Sequence, residues 1–175
     1  MLSSRRKPAG FAAAGLLAAL LALAGCQVQP LYGTSAAGTS VADASIGISP
    51  ATTRVGQVVR NDLVFAFGQG SGEPANAAYR LDLTVMSSVS GVLPTGLQND
   101  FSAARLNATA VYKLVETASG TLVHAGKRDT IALLDYPAQG YSNVRAIRDA
   151  ENRAARELAA LVRADVAASL ARQAR

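Results

Sequence analysis

Apolar positions along this chain recur with two periods, and the places where the period changes mark out its elements. Ile46 and Ile48 alternate with Gly47 and Ser49, and Pro50 follows, which predicts a short strand. Val55, Val58, Val59, Leu63 and Phe67 then recur at steps of three and four, the spacing of one helix face, with Thr52 or Thr53 placed to cap it. The stretch from Gly68 to Pro74 carries three glycines and ends that helix. From Tyr79 the period is two. Tyr79, Leu81, Leu83 and Val85 share one face, and Arg80, Asp82 and Thr84 share the other.

Gly91 to Asn99, with Pro94 and Gly96, reads as a loop between strands. The next alternating run places Leu106, Ala108, Ala110, Tyr112 and Leu114 inward, with Arg105, Asn107, Thr109 and Lys113 outward. Thr117 to Gly120 supplies a turn, and Leu122 to Leu133 continues as a partner strand, with Gly126 as a candidate bulge that re-aims Lys127 and Arg128. Ser142 or Asn143 then opens the strongest helix, striped by Ile147, Ala150, Ala154, Leu158, Leu161, Val162, Val166 and Leu170. Arg145, Asp149, Arg153 and Glu157 form a ladder of alternating charge on it. Such pairs add only about 0.2–0.5 kcal/mol each, against roughly 1.5–3 kcal/mol for a buried leucine or valine, so the apolar stripe decides where this helix lies.

The order β-α-β-β-β-α follows. It predicts an α+β fold, a two-layer sandwich with two helices on one face of a mostly antiparallel four-stranded sheet.

The start of the chain follows a different logic. Arg5-Arg6-Lys7 precede an apolar run from Phe11 to Leu23, which is shorter than the roughly 20 residues a spanning helix needs. Leu23-Ala24-Gly25-Cys26 follows, so basic, apolar and small residues come in the order of a secretory signal ending in a lipobox. Residues 1–25 are therefore expected to be a lipoprotein signal peptide and Cys26 the lipidated first residue of the mature protein. Residues 26–45 form a small, polar tether in which Pro30, Leu31 and Tyr32 offer a local apolar anchor. Residues 46–175 are the folded domain.

Loss of residues 1–25 changes the charge reading. They hold three cations and no acid, so the formal charge falls from +5 to +2 and the basic balance no longer suggests nucleic acid as a partner. The single cysteine is claimed by the lipobox, so the chain has no internal disulfide. One histidine and no second cysteine leave no metal cluster, and no cofactor is implied.

Catalytic patterns are weak. His124 sits in a strand between Val123 and Ala125, far from any nucleophile elbow, and reads as a surface or hydrogen-bonded histidine. Asp129 and Asp135 could in principle form a carboxylate pair, but Lys127 and Arg128 beside them suggest charge compensation. Gly68-Gln69-Gly70-Ser71-Gly72 lacks the lysine of a phosphate loop and follows a helix instead of a strand. The expectation is a protein that is not an enzyme. Arg105, Lys113, Lys127 and Arg128 are the candidate ligands for a phosphorylated anion, since guanidinium and ammonium groups bind phosphate. The ordinary alternative is a solvated strand face whose charges blunt edge pairing.

Leu23-Ala24-Gly25-Cys26-Gln27-Val28-Gln29-Pro30-Leu31-Tyr32-Gly33 resembles the start of the LPS-assembly lipoprotein family, LptE, in which a Pro-Leu-Tyr-Gly type stretch follows the lipobox cysteine. The order of elements is similar as well. The resemblance implies an outer-membrane, periplasm-facing lipoprotein that plugs and supports the LptD β-barrel and helps deliver lipopolysaccharide to the outer leaflet. It implies LptD and lipopolysaccharide as partners. Two other readings share the lipobox and a small α/β domain: an accessory lipoprotein of a lipid-transport ABC system, and a lipoprotein activator of a cell-wall synthase.

Overall fold

A computed structural model of the chain describes residues 45–94, 101–137 and 139–173. The expected signal peptide, Cys26 and nearly all of the tether lie outside the described residues. The observed order is β1 (Ile46–Ile48), α1 (Arg54–Phe67), β2 (Tyr79–Pro94), β3 (Phe101–Glu116), β4 (Leu122–Asp135) and α2 (Gly140–Gln173). The strands form one sheet in the order β1-β2-β3-β4, with β1 parallel to β2 and the other neighbours antiparallel. This is the predicted α+β class.

Local chemistry sets the element ends. Thr53 has extended backbone and its hydroxyl accepts the Gly56 N–H at 3.0 Å, which caps α1. The chain leaves α1 through Gln69 and Gly70, both at positive φ, and Gly68 N–H still reaches the Val64 carbonyl at 2.9 Å. The start of α2 is earlier than the sequence suggested. Asn143 N–H donates to the Gln139 carbonyl at 3.1 Å, so Ser142 and Asn143 lie in the first turn and do not cap it.

The alternation of β3 is obeyed in full: Leu106, Ala108, Ala110, Tyr112 and Leu114 are all buried. They meet the α2 stripe of Ala150, Ala154, Leu158, Val162, Val166 and Leu170. Leu161 is the exception in that stripe, at the exposed margin of the helix. Of the expected charge ladder, Arg153 bonds Asp149 at 2.9 Å and also donates to the Leu133 carbonyl at 3.0 Å. Helix α1 covers the start of β2 with Val55, Val59 and Leu63.

Two further expectations need correction. The segment from Gly91 to Pro94 is strand, because β2 stays paired with β3 as far as Pro94↔Phe101, with irregular register after Gly91. There is also no bulge at Gly126: the β3–β4 register runs unbroken through Tyr112↔Gly126 and shifts between Leu114 and Val115. Gly126 is instead a steric necessity. A Cβ there would stand 2.5 Å from the Tyr112 hydroxyl and 3.0 Å from Asp165 Oδ2.

Leu158 is wholly buried between helix and sheet, whereas Phe65 is 70% exposed. Leu158→Ala is expected to cost about 2–5 kcal/mol in a denaturant melt, and Phe65→Ala to stay within about 0.5 kcal/mol of the parent.

Candidate functional site

Among the described residues, only one face of the sheet is covered. The other carries Arg80, Asp82, Thr84, Met86, Ser88 and Ser90 from β2, the outward residues of β3, and Lys127, Asp129, Ile131 and Leu133 from β4. Strand register sets its cross rows as Asp82–Lys113–Ala125, Thr84–Val111–Lys127, Met86–Thr109–Asp129 and Ser90–Arg105–Leu133. Three of the four candidate cations, Arg105, Lys113 and Lys127, are exposed there. They do not form one cluster. Lys113 and Lys127 are diagonal neighbours, about 7–8 Å apart at Cα, but Arg105 lies eight residues along β3 from Lys113, about 26 Å away.

Carboxylates dilute this charge. Arg80 pairs with Asp82 at 3.0 Å and Lys127 with Asp129 at 3.4 Å. The hydroxyl of Thr109 donates to Asp129 at 2.6 Å and, with Lys127, holds that carboxyl below its usual range.

The fourth cation is elsewhere. Residues of even number on β4 face the helices, so Arg128 turns under α2, where its guanidinium pairs with Asp165 Oδ1 at 2.9 Å. It therefore does not belong to the open face, contrary to the expectation that a bulge would re-aim it. Asp165 is the centre of a polar cluster that the sequence reading missed. Its Oδ2 accepts the Tyr112 hydroxyl and faces His124 Nε2 at 3.0 Å, a nitrogen that must carry hydrogen to bond an ionised carboxylate. The signal for this cluster was an acid set among Val162, Val166 and Leu158 on the apolar stripe, opposite a strand tyrosine and the chain's one histidine.

Burial pulls the Asp165 carboxyl upward, but the bonds from Tyr112 and His124 and the Arg128 charge outweigh it, leaving it below its ordinary value. The Tyr112 phenol is pushed well above its own ordinary value, first by burial and then by the adjoining carboxylate. Every partner in this cluster is engaged with another, and no serine, threonine or cysteine is among them. It ties α2 to the sheet.

The remaining chemical candidates separate on distance. Asp129 and Asp135 lie six residues apart on one strand, about 20 Å, whereas two carboxylates acting on one glycosidic bond stand about 5–9.5 Å apart. The glycine-rich segment after α1 is a turn whose Glu73 reaches back to the Ile48 N–H at 2.7 Å. Among the described residues no group of three histidine, cysteine or acidic side chains could hold a metal ion. An open groove of about 600 Å³ lies at the end of the sheet nearest the start of α2, lined by Leu93, Ala103, Leu134, Ala146 and Arg153 among others.

What these features define is a small two-layer α+β domain that shields one face of its sheet with helices and, among the described residues, leaves the other open. Among curated proteins none matches this sequence. A family model does, over residues 41–166: LptE, lipopolysaccharide-assembly, and the chain belongs to that family. A crystal structure described as a lipoprotein from Caulobacter crescentus CB15 is similar at TM-score 0.60 and 29% identity, covering 75% of this chain and 96% of that one. The rare lipoprotein B from Shewanella oneidensis shares the fold at TM-score 0.55 and 12% identity, covering 74% of this chain and 98% of its own.

A carboxyl held below its ordinary value stabilises the fold while it is ionised, and that contribution is lost as pH falls through the folded value. The stability difference between the parent and Asp165→Asn should therefore be full near neutrality and shrink as pH drops below the ordinary value of 3.8. Denaturant midpoints of the two proteins across pH check this.

Proposed function

We propose that this protein is a non-enzymatic lipoprotein of the outer membrane that plugs and braces the LptD β-barrel and helps deliver lipopolysaccharide to the outer leaflet. Membership of the lipopolysaccharide-assembly family over residues 41–166 carries the reading. The sequence supports the anchoring half of it. Residues 1–25 serve as signal peptide, Cys26 bears the acyl groups, and residues 26–45 tether the lipid to the domain that begins at Ile46. One acyl chain holds a protein only marginally, so a di- or triacylated cysteine is the minimum for stable attachment. No helix among the described residues is long and apolar enough to cross a membrane.

The open face supports the other half. Its serine, threonine and asparagine positions, together with spaced charges, suit the polar lumen of an outer-membrane barrel, while Met86, Val111, Ile131 and Leu133 add exposed apolar positions to the same face. Arg105, Lys113 and Lys127 are the proposed contacts for lipopolysaccharide phosphates. Arg128, paired with Asp165, is withdrawn from that set. The neighbourhood of Lys113 and Lys127 holds three cations with Arg80 against two carboxylates, Asp82 and Asp129, so attraction there is modest and easily screened.

Two experiments test these halves separately. Co-expression with LptD should give a complex that survives purification in detergent, and a chain recovered only as monomer would sink the plug assignment. Arg105→Glu and Lys127→Glu should each weaken binding to lipopolysaccharide micelles more at 0.01 M than at 0.1 M salt, because the screening length falls from about 30 to about 10 Å. Equal affinity for parent and variants at both concentrations would identify the face as merely solvated.

A further inference from the structure

The sheet ends in three stretches of strand edge, and two of them carry charged side chains that bond some of their outward backbone groups. On β1, the Arg60 guanidinium donates to the Ile48 and Ser49 carbonyls at 3.3 and 3.2 Å, while Glu73 accepts the Ile48 N–H and pairs with Arg60 at 2.5 Å. On β4, Arg128 donates to the Lys127 carbonyl at 2.9 Å and Arg153 to the Leu133 carbonyl at 3.0 Å. These contacts occupy groups that would otherwise template another strand.

The third edge is β2 beyond β1. Tyr79 N–H donates to the Ser45 carbonyl, the Leu81 carbonyl accepts Ser49 N–H, Leu83 N–H donates to Ser49 Oγ, and the Val85 carbonyl accepts the Thr53 hydroxyl. Odd-numbered residues of β2 thus turn their backbone groups toward the β1 side. The β2–β3 register is unbroken to Gly91↔Ala104, so the same parity carries Ser87, Val89 and Gly91 to that side. Among the described residues no group bonds their N–H or C=O. Met86 to Pro94 contains no charge, and Met86, Val89, Val92 and Leu93 are all at least 40% exposed.

We propose that the Ser87–Gly91 edge of β2 is a β-augmentation site that takes an uncharged, extended segment of a polypeptide partner as a fifth strand. The chemistry of the edge selects this occupant. Alternating donors and acceptors at strand spacing are matched by another main chain, and not by an acyl chain or a sugar. With no charge between Met86 and Pro94, a charged segment would leave its own charges unpaired. Five residues span about 17 Å, so the partner contributes a short strand, with main-chain bonds giving affinity and a small apolar residue beside Val89 giving selectivity. This inference does not rest on the assignment to LptD or on lipopolysaccharide binding.

Hydrogen exchange of the full-length chain in detergent tests it, with a capped six-residue peptide of alternating threonine and valine as probe. The amides of Ser87, Val89 and Gly91 should exchange about tenfold more slowly with peptide at about ten times its Kd. The same peptide N-methylated at every second residue should give no protection. Val89→Pro should abolish protection while leaving the melting temperature near that of the parent, because the lost N–H makes no ladder bond. Val89→Lys should abolish it too, by placing a charge at the edge. Absence of protection at millimolar peptide would overturn the proposal. So would protection without peptide that rises with protein concentration, which would make a second copy of this chain the occupant.

Discussion

The fold depends on α2 lying along the whole length of the sheet. Its 34 residues span about 51 Å and the 16 residues of β3 about 53 Å, so helix and strand are matched in length. Contact is made with small residues on both sides: Ala150, Ala154, Ala155 and Ala159 on the helix, Ala104, Ala108, Ala110 and Ala132 on the strands. Alanine faces bring the layers close, and the larger Leu106, Leu114, Leu158, Val162 and Val166 fill the space between them. Without α2, the inner faces of β3 and β4 would be bare, since α1 packs against α2 and, within the sheet, over β1 and β2. Burial of those side chains at roughly 1.5–3 kcal/mol each outweighs the exposed ion pairs, which contribute about 0–1 kcal/mol.

An alanine-rich seam is smooth, and smoothness creates a problem that Asp165 solves. A shift of α2 by one turn, about 5.4 Å, would leave the alanine positions facing methyl groups as before, at the cost of the sites that Leu158, Val162 and Val166 fill. It would, however, tear the Asp165 carboxylate away from Tyr112, His124 and Arg128 together and leave it half-buried without partners. Leaving a buried ionic group without its partners is strongly unfavourable, so the cluster opposes such a shift. Gly126 belongs to the same device. Any side chain there would collide with the Tyr112 hydroxyl and displace it from the carboxylate.

Elements governed by period were legible in the sequence. The inward residues of β3, the α1 stripe and most of the α2 stripe could be read because burial imposes spacing, and spacing survives in one sequence. The polar cluster was not legible, because Tyr112, His124, Arg128 and Asp165 come from three elements whose apposition is a property of the packed layers. Arg128 was misplaced for a related reason. Glycine in a strand suggests a bulge, but Gly126 also fits a close approach, and only the ring of Tyr112 decides between them. The continuation of β2 through Gly91 was hidden by composition: glycine and proline mark loops locally, yet pairing with β3 overrides them. On the open face the outward direction of Arg105 and Lys113 was readable, whereas their separation of eight residues on one strand argues against the single patch that a list of cations suggests.

The upper half of β2 is not simply a frayed hairpin. Its composition changes at Val85. Before that point charged and apolar residues alternate, as on an ordinary half-buried strand; after it come nine uncharged residues, four of them serine or glycine. Fraying would loosen the pairing with β3, but the register holds from Met86↔Thr109 to Gly91↔Ala104. The ring of Phe101 lies over Gly91 so closely that a Cβ there would collide with it, which seats the strand where glycine alone would leave it weak. The lower half of the same strand is bonded by β1, Ser49 and Thr53 on the side where the upper half has no partner among the described residues. Edges in this sheet that carry charged guards are therefore distinguished, by sequence as well as by geometry, from the one that carries none.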